Sequence, residues 1–156
     1  MSNTSALDKL VELTQDLLNK ASVDLANSRK SEKQAKDFLQ ALLGYRADYT
    51  MEMQRLMLEG MSAMTLNHYR AFVNSLDSAI QQANATLKSL EQAVQNNQDD
   101  WMDKYQKVNA YETLIDRRLK SVQIKESRRE QRQTDEISSQ LRLRQARNAF
   151  SSPGFN

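Results

Sequence analysis

Apolar residues recur every three or four positions along almost the whole of this chain, and the recurrence breaks at a single place. The first run is Leu7, Val11, Thr14, Leu18, Ala21, Leu25, Ser28, Glu32, Ala35, Leu39, Leu42, Arg46, Tyr49, Met53 and Leu56. The second is Tyr69, Val73, Leu76, Ile80, Ala83, Leu87, Leu90, Val94, Asn97, Trp101, Lys104, Val108, Tyr111, Ile115, Arg118 and Val122. Alternating steps of three and four keep one stripe of a helix turned toward a partner helix. The break is Glu59-Gly60-Met61-Ser62-Ala63-Met64-Thr65. Gly60 can take the left-handed backbone that closes a helix. Ser62 or Thr65 can cap the next one by accepting a bond from an early N–H. The pattern predicts an all-α fold, an antiparallel two-helix coiled-coil hairpin with a longer second helix. Helix one is expected over 5–58, the turn over 59–65, helix two over 66–148 and a frayed end over 149–156, all in a single domain.

Composition agrees with that reading. One proline, three glycines and no cysteine stand among residues that lose little on entering a helix. The lack of cysteine removes disulfide scaffolds and thiolate metal sites and suits a reducing compartment. No basic stretch leads into an apolar block at the start of the chain. The apolar runs fall far short of the roughly 18–20 residues a membrane helix requires. A cytoplasmic protein without direct membrane insertion is expected.

The second run of apolar positions outlasts the first. After Val122 the same spacing lands on Lys125, Arg129, Arg132, Glu136 and Ser139. Folded at the turn, helix one is expected to run out opposite about residue 118, leaving a paired rod of roughly 75–80 Å and an overhang of roughly 40 Å. A helix without a partner must be polar all round or held by another protein. Within the seam, Ser28 is expected within one helical turn of Asn97 across the hairpin, a polar layer that would penalise slipped registers.

Little here can do chemistry. His68 is the only histidine, and no phosphate-binding glycine loop, HExxH or Ser-His-Asp set is present. A two-helix rod offers no concave pocket that excludes water. The protein is read as no enzyme, with no catalytic residue, no cofactor and no metal site.

Three surface features rise above the background. Phe38 and Tyr45, and Phe72 and Ala79, form a column beside the seam. Either they wrap the seam as extra core, or they leave an aromatic patch open to a partner. Met51, Met53, Met57, Met61 and Met64 surround the turn, as filler for an irregular tip or as an adaptable surface. From Arg117 onward basic residues far outnumber acidic ones. Nucleic acid is disfavoured for this segment, because no aromatic for base stacking lies between Arg117 and Arg147. A membrane surface is disfavoured because its apolar residues are scattered. Insertion among acidic loops of a partner and a merely solvated charged helix both stay open.

Leu42-Leu-Gly-Tyr45-Arg-Ala-Asp-Tyr49, then Gly60-Met-Ser at the turn, then Tyr69-Arg-Ala-Phe72-Val-Asn-Ser-Leu76-Asp-Ser-Ala79-Ile80, occur together over nearly the whole chain. In these pieces the chain resembles the FliJ family, the coiled-coil component of the flagellar type III export apparatus. The resemblance implies a protein like the central stalk of a rotary ATP synthase. It would bind the hexameric flagellar export ATPase ring, promote its assembly, and couple it to the cytoplasmic part of the membrane export gate. A role with flagellar export chaperones is also implied. So is a peripheral position at the cytoplasmic face of the inner membrane, as a protein that is a monomer on its own. The gate-binding cluster would fall on Leu42, Tyr45, Tyr49, Phe72, Leu76 and Ala79. Flanking it, Phe38 and Ala83 stand where family members can carry polar residues. By the stalk analogy, Arg117, Arg118, Lys120, Arg128, Arg129 and Arg132 would contact the ATPase ring. The competing functions are a general coiled-coil chaperone for export substrates, working through the methionine-rich tip, and a homodimeric scaffold.

Overall fold

The computed structural model describes residues 2–151, with side chains from residue 6 onward. Two helices account for nearly all of it, α1 (Ser2–Glu59) and α2 (Ala63–Phe150). Only three residues separate them. Gly60 there has φ 102°, a backbone region that a Cβ makes costly. Of the two candidate caps, Ser62 does the work. Its Oγ accepts the Thr65 N–H at 3.2 Å, and its carbonyl accepts the Leu66 N–H at 3.0 Å. α2 therefore starts three residues earlier than expected. It runs through Phe150, and the rest of the segment expected to fray, 152–156, lies outside the described residues.

The chain divides into two compact units. The larger, Asp8–Val108, is the antiparallel hairpin. Its buried residues are Thr14, Ala21, Leu25, Leu42, Leu76, Ala83 and Val108, every one a position of the 3–4 repeat. The remaining repeat positions in this unit are half-buried, apart from Tyr49, which is exposed. Two helices can shield only one stripe of each other, so no side chain is completely enclosed. Buried Thr14 satisfies its hydroxyl within its own helix, donating to the carbonyls of Leu10 and Val11.

The register places Asn97 within one helical turn of Ser28, as expected. Asn97 Nδ2 reaches the Asp24 carbonyl at 3.5 Å, one helical turn before Ser28. Ser28 instead donates to the Leu25 carbonyl of its own helix. Each of the two polar residues bonds a backbone carbonyl of α1, at Asp24 and at Leu25, and not the other's side chain.

The smaller unit comprises the described residues up to Leu7 and from Asn109 onward. Within it Tyr111 and Ile115 are half-buried, and a shallow notch is lined by Leu7, Leu114, Arg117 and Arg118. Every described side chain after Ile115 is exposed. Among the described residues no helix is long and apolar enough to cross a membrane.

Candidate functional site

The aromatic column beside the seam resolves into a floor and a surface. Leu42 and Leu76 are 9% and 8% exposed and form a core cluster with Ala83, against which Leu39, Ala79 and Ile80 pack. These residues fix the backbone beneath the patch and have little area left for a partner. Above them, Tyr45 is 58% exposed, Phe72 43% and Tyr49 39%. Tyr49 packs against Phe72 across the hairpin with ring centroids 4.4 Å apart and planes inclined by 40°. Tyr69 joins them, 6.2 Å from Tyr49. Phe38 is exposed as well. Of the two readings open in the sequence, Tyr49 and Phe72 partly cover the seam, while Phe38 and Tyr45 chiefly face solvent.

Two contributors to this face escape a reading by repeat alone. Tyr69 sits at a seam position three residues before Phe72, so the repeat explains it as core. Arg46 interrupts the seam, and the structure gives it Asp77 of α2 as an ion-pair partner. The hydrogen bond to Asp77, reinforced by its charge, raises the Arg46 guanidinium above its usual value. An arginine in an apolar stripe is itself the signal. It calls for a carboxylate on the facing helix, and Asp77 follows Leu76 directly.

The tip divides in the same way. Met53 and Met61 are half-buried and fill the bend, whereas Met51, Met57, Met64 and Leu58 are exposed. Arg55 clamps Glu52 and Glu59 on the α1 side. Its hydrogen bond holds the Glu52 carboxyl below the usual value.

In the smaller unit Arg117, Arg118, Lys120, Arg128, Arg129 and Arg132 are all exposed. Lys120 pairs with Asp116 at 3.3 Å, the i,i+4 partner on its own helix. Arg117, Arg128, Arg129 and Arg132 have no carboxylate within 4.0 Å among the described residues. The segment presents positive charge without apolar burial. Among the described residues no group of three or more His, Cys, Asp or Glu side chains is placed to hold a metal ion.

The sequence matches the family described as "Flagellar FliJ protein" over residues 3–147. It is similar to the Flagellar FliJ protein of Salmonella typhi, at 27% identity over 144 residues, covering 92% of this chain and 98% of the relative. The Flagellar FliJ protein of Escherichia coli (strain K12) is 26% identical with the same coverage.

Proposed function

The chain belongs to the FliJ family of flagellar export components, and from that premise we propose that it is a stalk-like coiled coil serving the export ATPase and the export gate. It binds the hexameric export ATPase and promotes assembly of the ring. It couples that ring to the cytoplasmic part of the membrane export gate, and takes part in cycling export chaperones. It acts at the cytoplasmic face of the inner membrane, held there by the export apparatus and not by insertion.

One observation carries the reading. A helical hairpin whose buried apolar side chains all lie at one seam leaves Tyr45, Tyr49 and Phe72 open on a rigid floor of Leu42 and Leu76. Large aromatics preorganised on a packed base are the residues that dominate protein interfaces. The area they leave open contributes little to the hairpin, and clustered exposed aromatics of this kind mark partner sites. The exposed arginines from Arg117 to Arg132 suit an acidic surface, as the ATPase contact requires.

The test is binding of the isolated cytoplasmic domain of the gate to Tyr45→Ala and Phe72→Ala, measured by calorimetry. Each substitution is expected to weaken binding by roughly tenfold or more, in the range of interface anchors. The thermal midpoint should change little for Tyr45→Ala, whose ring is 58% exposed, and fall modestly for Phe72→Ala, which loses its packing on Tyr49. Unchanged gate affinity in both variants would overturn the gate assignment. The exposed Met51, Met57, Met64 and Leu58 favour the second reading, a chaperone holding export substrates at the tip. Replacing these four with polar residues separates the two, because it should leave gate affinity intact.

A further inference from the structure

Away from the gate-facing aromatics, the hairpin carries a second cluster of interface-type residues. Positions 22, 26 and 29 of α1 and 98, 102 and 105 of α2 each repeat at i, i+4, i+7, so both rows border the same side of the seam. Between them lies an open groove of about 320 Å³, whose apolar lining is Leu25, Ala26, Trp101 and Met102. Trp101 is fixed. Its Nε1–H donates to Ser22 Oγ at 2.9 Å, and Ser22 in turn donates to the Leu18 carbonyl at 2.9 Å. Its ring stacks on Tyr105 with centroids 5.2 Å apart and planes inclined by only 14°. Tyr105 and Met102 stay 43% and 45% exposed, although the preceding stretch, Gln95-Asn-Asn-Gln98, is wholly polar.

Arg29 is the one charged residue lining the groove, and it has no carboxylate within 4.0 Å among the described residues. The acids of α2 that adjoin the groove residues Gln98, Trp101 and Met102 are already engaged. Asp99 accepts from Gln95, Asp100 pairs with Lys104, and Asp103 pairs with Lys104 and Lys107. Trp, Tyr, Met and Arg are the types enriched at binding hot spots, and here they meet in one preorganised notch with an unmet positive charge at its rim.

We propose that this groove receives an acidic amphipathic helix of a partner protein. A large apolar side chain of that helix enters the notch against Leu25, Ala26 and Met102 and lies beside the Trp101–Tyr105 stack. A carboxylate one turn along the same helix pairs with Arg29. A helix fits because both walls are helical rows at matching spacing, so a third helix packs into the groove by ridge and furrow. A single bordering cation selects a carboxylate on a protein, not a polyanion such as nucleic acid. The proposal stands independently of the gate and ATPase reading.

Trp101 is the only tryptophan, so its emission reports on the groove directly. The full chain is titrated with two synthetic helical peptides sharing one Leu/Phe stripe, the first flanked by Glu and the second by Lys. The Glu peptide is expected to give a saturable blue shift, with the Lys peptide about tenfold or more weaker. Arg29→Glu should reverse that order. Ala26→Glu, which fills the notch from an exposed position, should abolish binding of both. Tyr45→Ala with Phe72→Ala should leave both affinities unchanged. Far-UV circular dichroism checks that each variant keeps its helix content. Equal affinity for the two peptides, no saturable shift, or loss of binding in the Tyr45/Phe72 variant overturns the proposal. So does a shift that grows with protein concentration alone, which would put a second copy in the groove.

Discussion

Two glycines in this hairpin face opposite backbone demands. Gly60 sits at φ 102°, where any L side chain strains the main chain, yet a Cβ there would meet nothing within 4 Å. Gly60→Ala is therefore expected to cost about 1–2 kcal/mol through the backbone alone. Gly44 lies inside α1, also with open space around its missing Cβ. Gly44→Ala should add about 0.5–1 kcal/mol by raising helix propensity and reducing the freedom of the unfolded chain. Denaturant unfolding of the pair measures both signs in one experiment. At the tip, the Glu52 carboxyl is held below its ordinary value of 4.5, first by its hydrogen bond to Arg55 and then by that group's charge. A depressed carboxyl contributes stability that is present above the unfolded value and lost as pH falls through the folded one. Glu52→Gln should lower the thermal midpoint slightly at neutral pH and low salt, with the two proteins converging below the folded value. Lys36 runs the other way. Its hydrogen bond to Glu32 raises it above 10.5, so its contribution is present below that value and lost at higher pH.

At the scale of the helices, stability follows the seam and not helix length. Leu76 is buried beside Leu42 and Ala83, whereas Leu141, on the same helix, is exposed. Leu76→Ala should cost about 2–4 kcal/mol, as buried leucines do. Leu141→Ala should stay within about 0.5 kcal/mol, as exposed positions do. Thermal unfolding of the two variants checks the contrast. The repeat predicted this division well. Every buried residue of the hairpin lies at a position of the three-four spacing, and Tyr45 and Phe72 stand as large rings just outside it. Register was harder to read. Spacing fixes which face a residue occupies, but the partner across the hairpin depends on the length of the turn. Asn97 falls within one helical turn of Ser28, yet it bonds the Asp24 carbonyl and not the Ser28 hydroxyl. The same uncertainty hid Arg46–Asp77 and Trp101–Ser22, since both are cross-hairpin pairs. In the candidate site, the exposed rings were legible as types at a spacing. The repeat also separates floor (Leu42, Leu76) from surface (Tyr45, Phe72), but not Tyr49, a repeat position left 39% exposed because its burial depends on its opposite neighbours.

For the molecule as a whole, the decisive question is whether folding and function can be cut apart. Deleting everything after Lys120 removes only side chains that are exposed where described, so it takes away almost no buried apolar surface. The hairpin Asp8–Val108 keeps its core from Thr14 to Val108, and its unfolding free energy should shift by no more than about 0.5 kcal/mol. Total helix content should fall with the lost segment. The same deletion removes Arg128, Arg129 and Arg132, three of the cations assigned to the ATPase ring. If that assignment is right, the truncated chain no longer stimulates a purified flagellar-type ATPase, while its affinity for the gate domain through Tyr45 and Phe72 is retained. Stimulation by the intact chain should also weaken with added salt, because exposed charges act over about 10 Å at 0.1 M ionic strength and less above it. A truncated chain that stimulates as well as the intact one would remove the cationic segment from the mechanism. A truncated chain that fails to fold would mean that the exposed end of α2 supports the hairpin, against everything its accessibility implies.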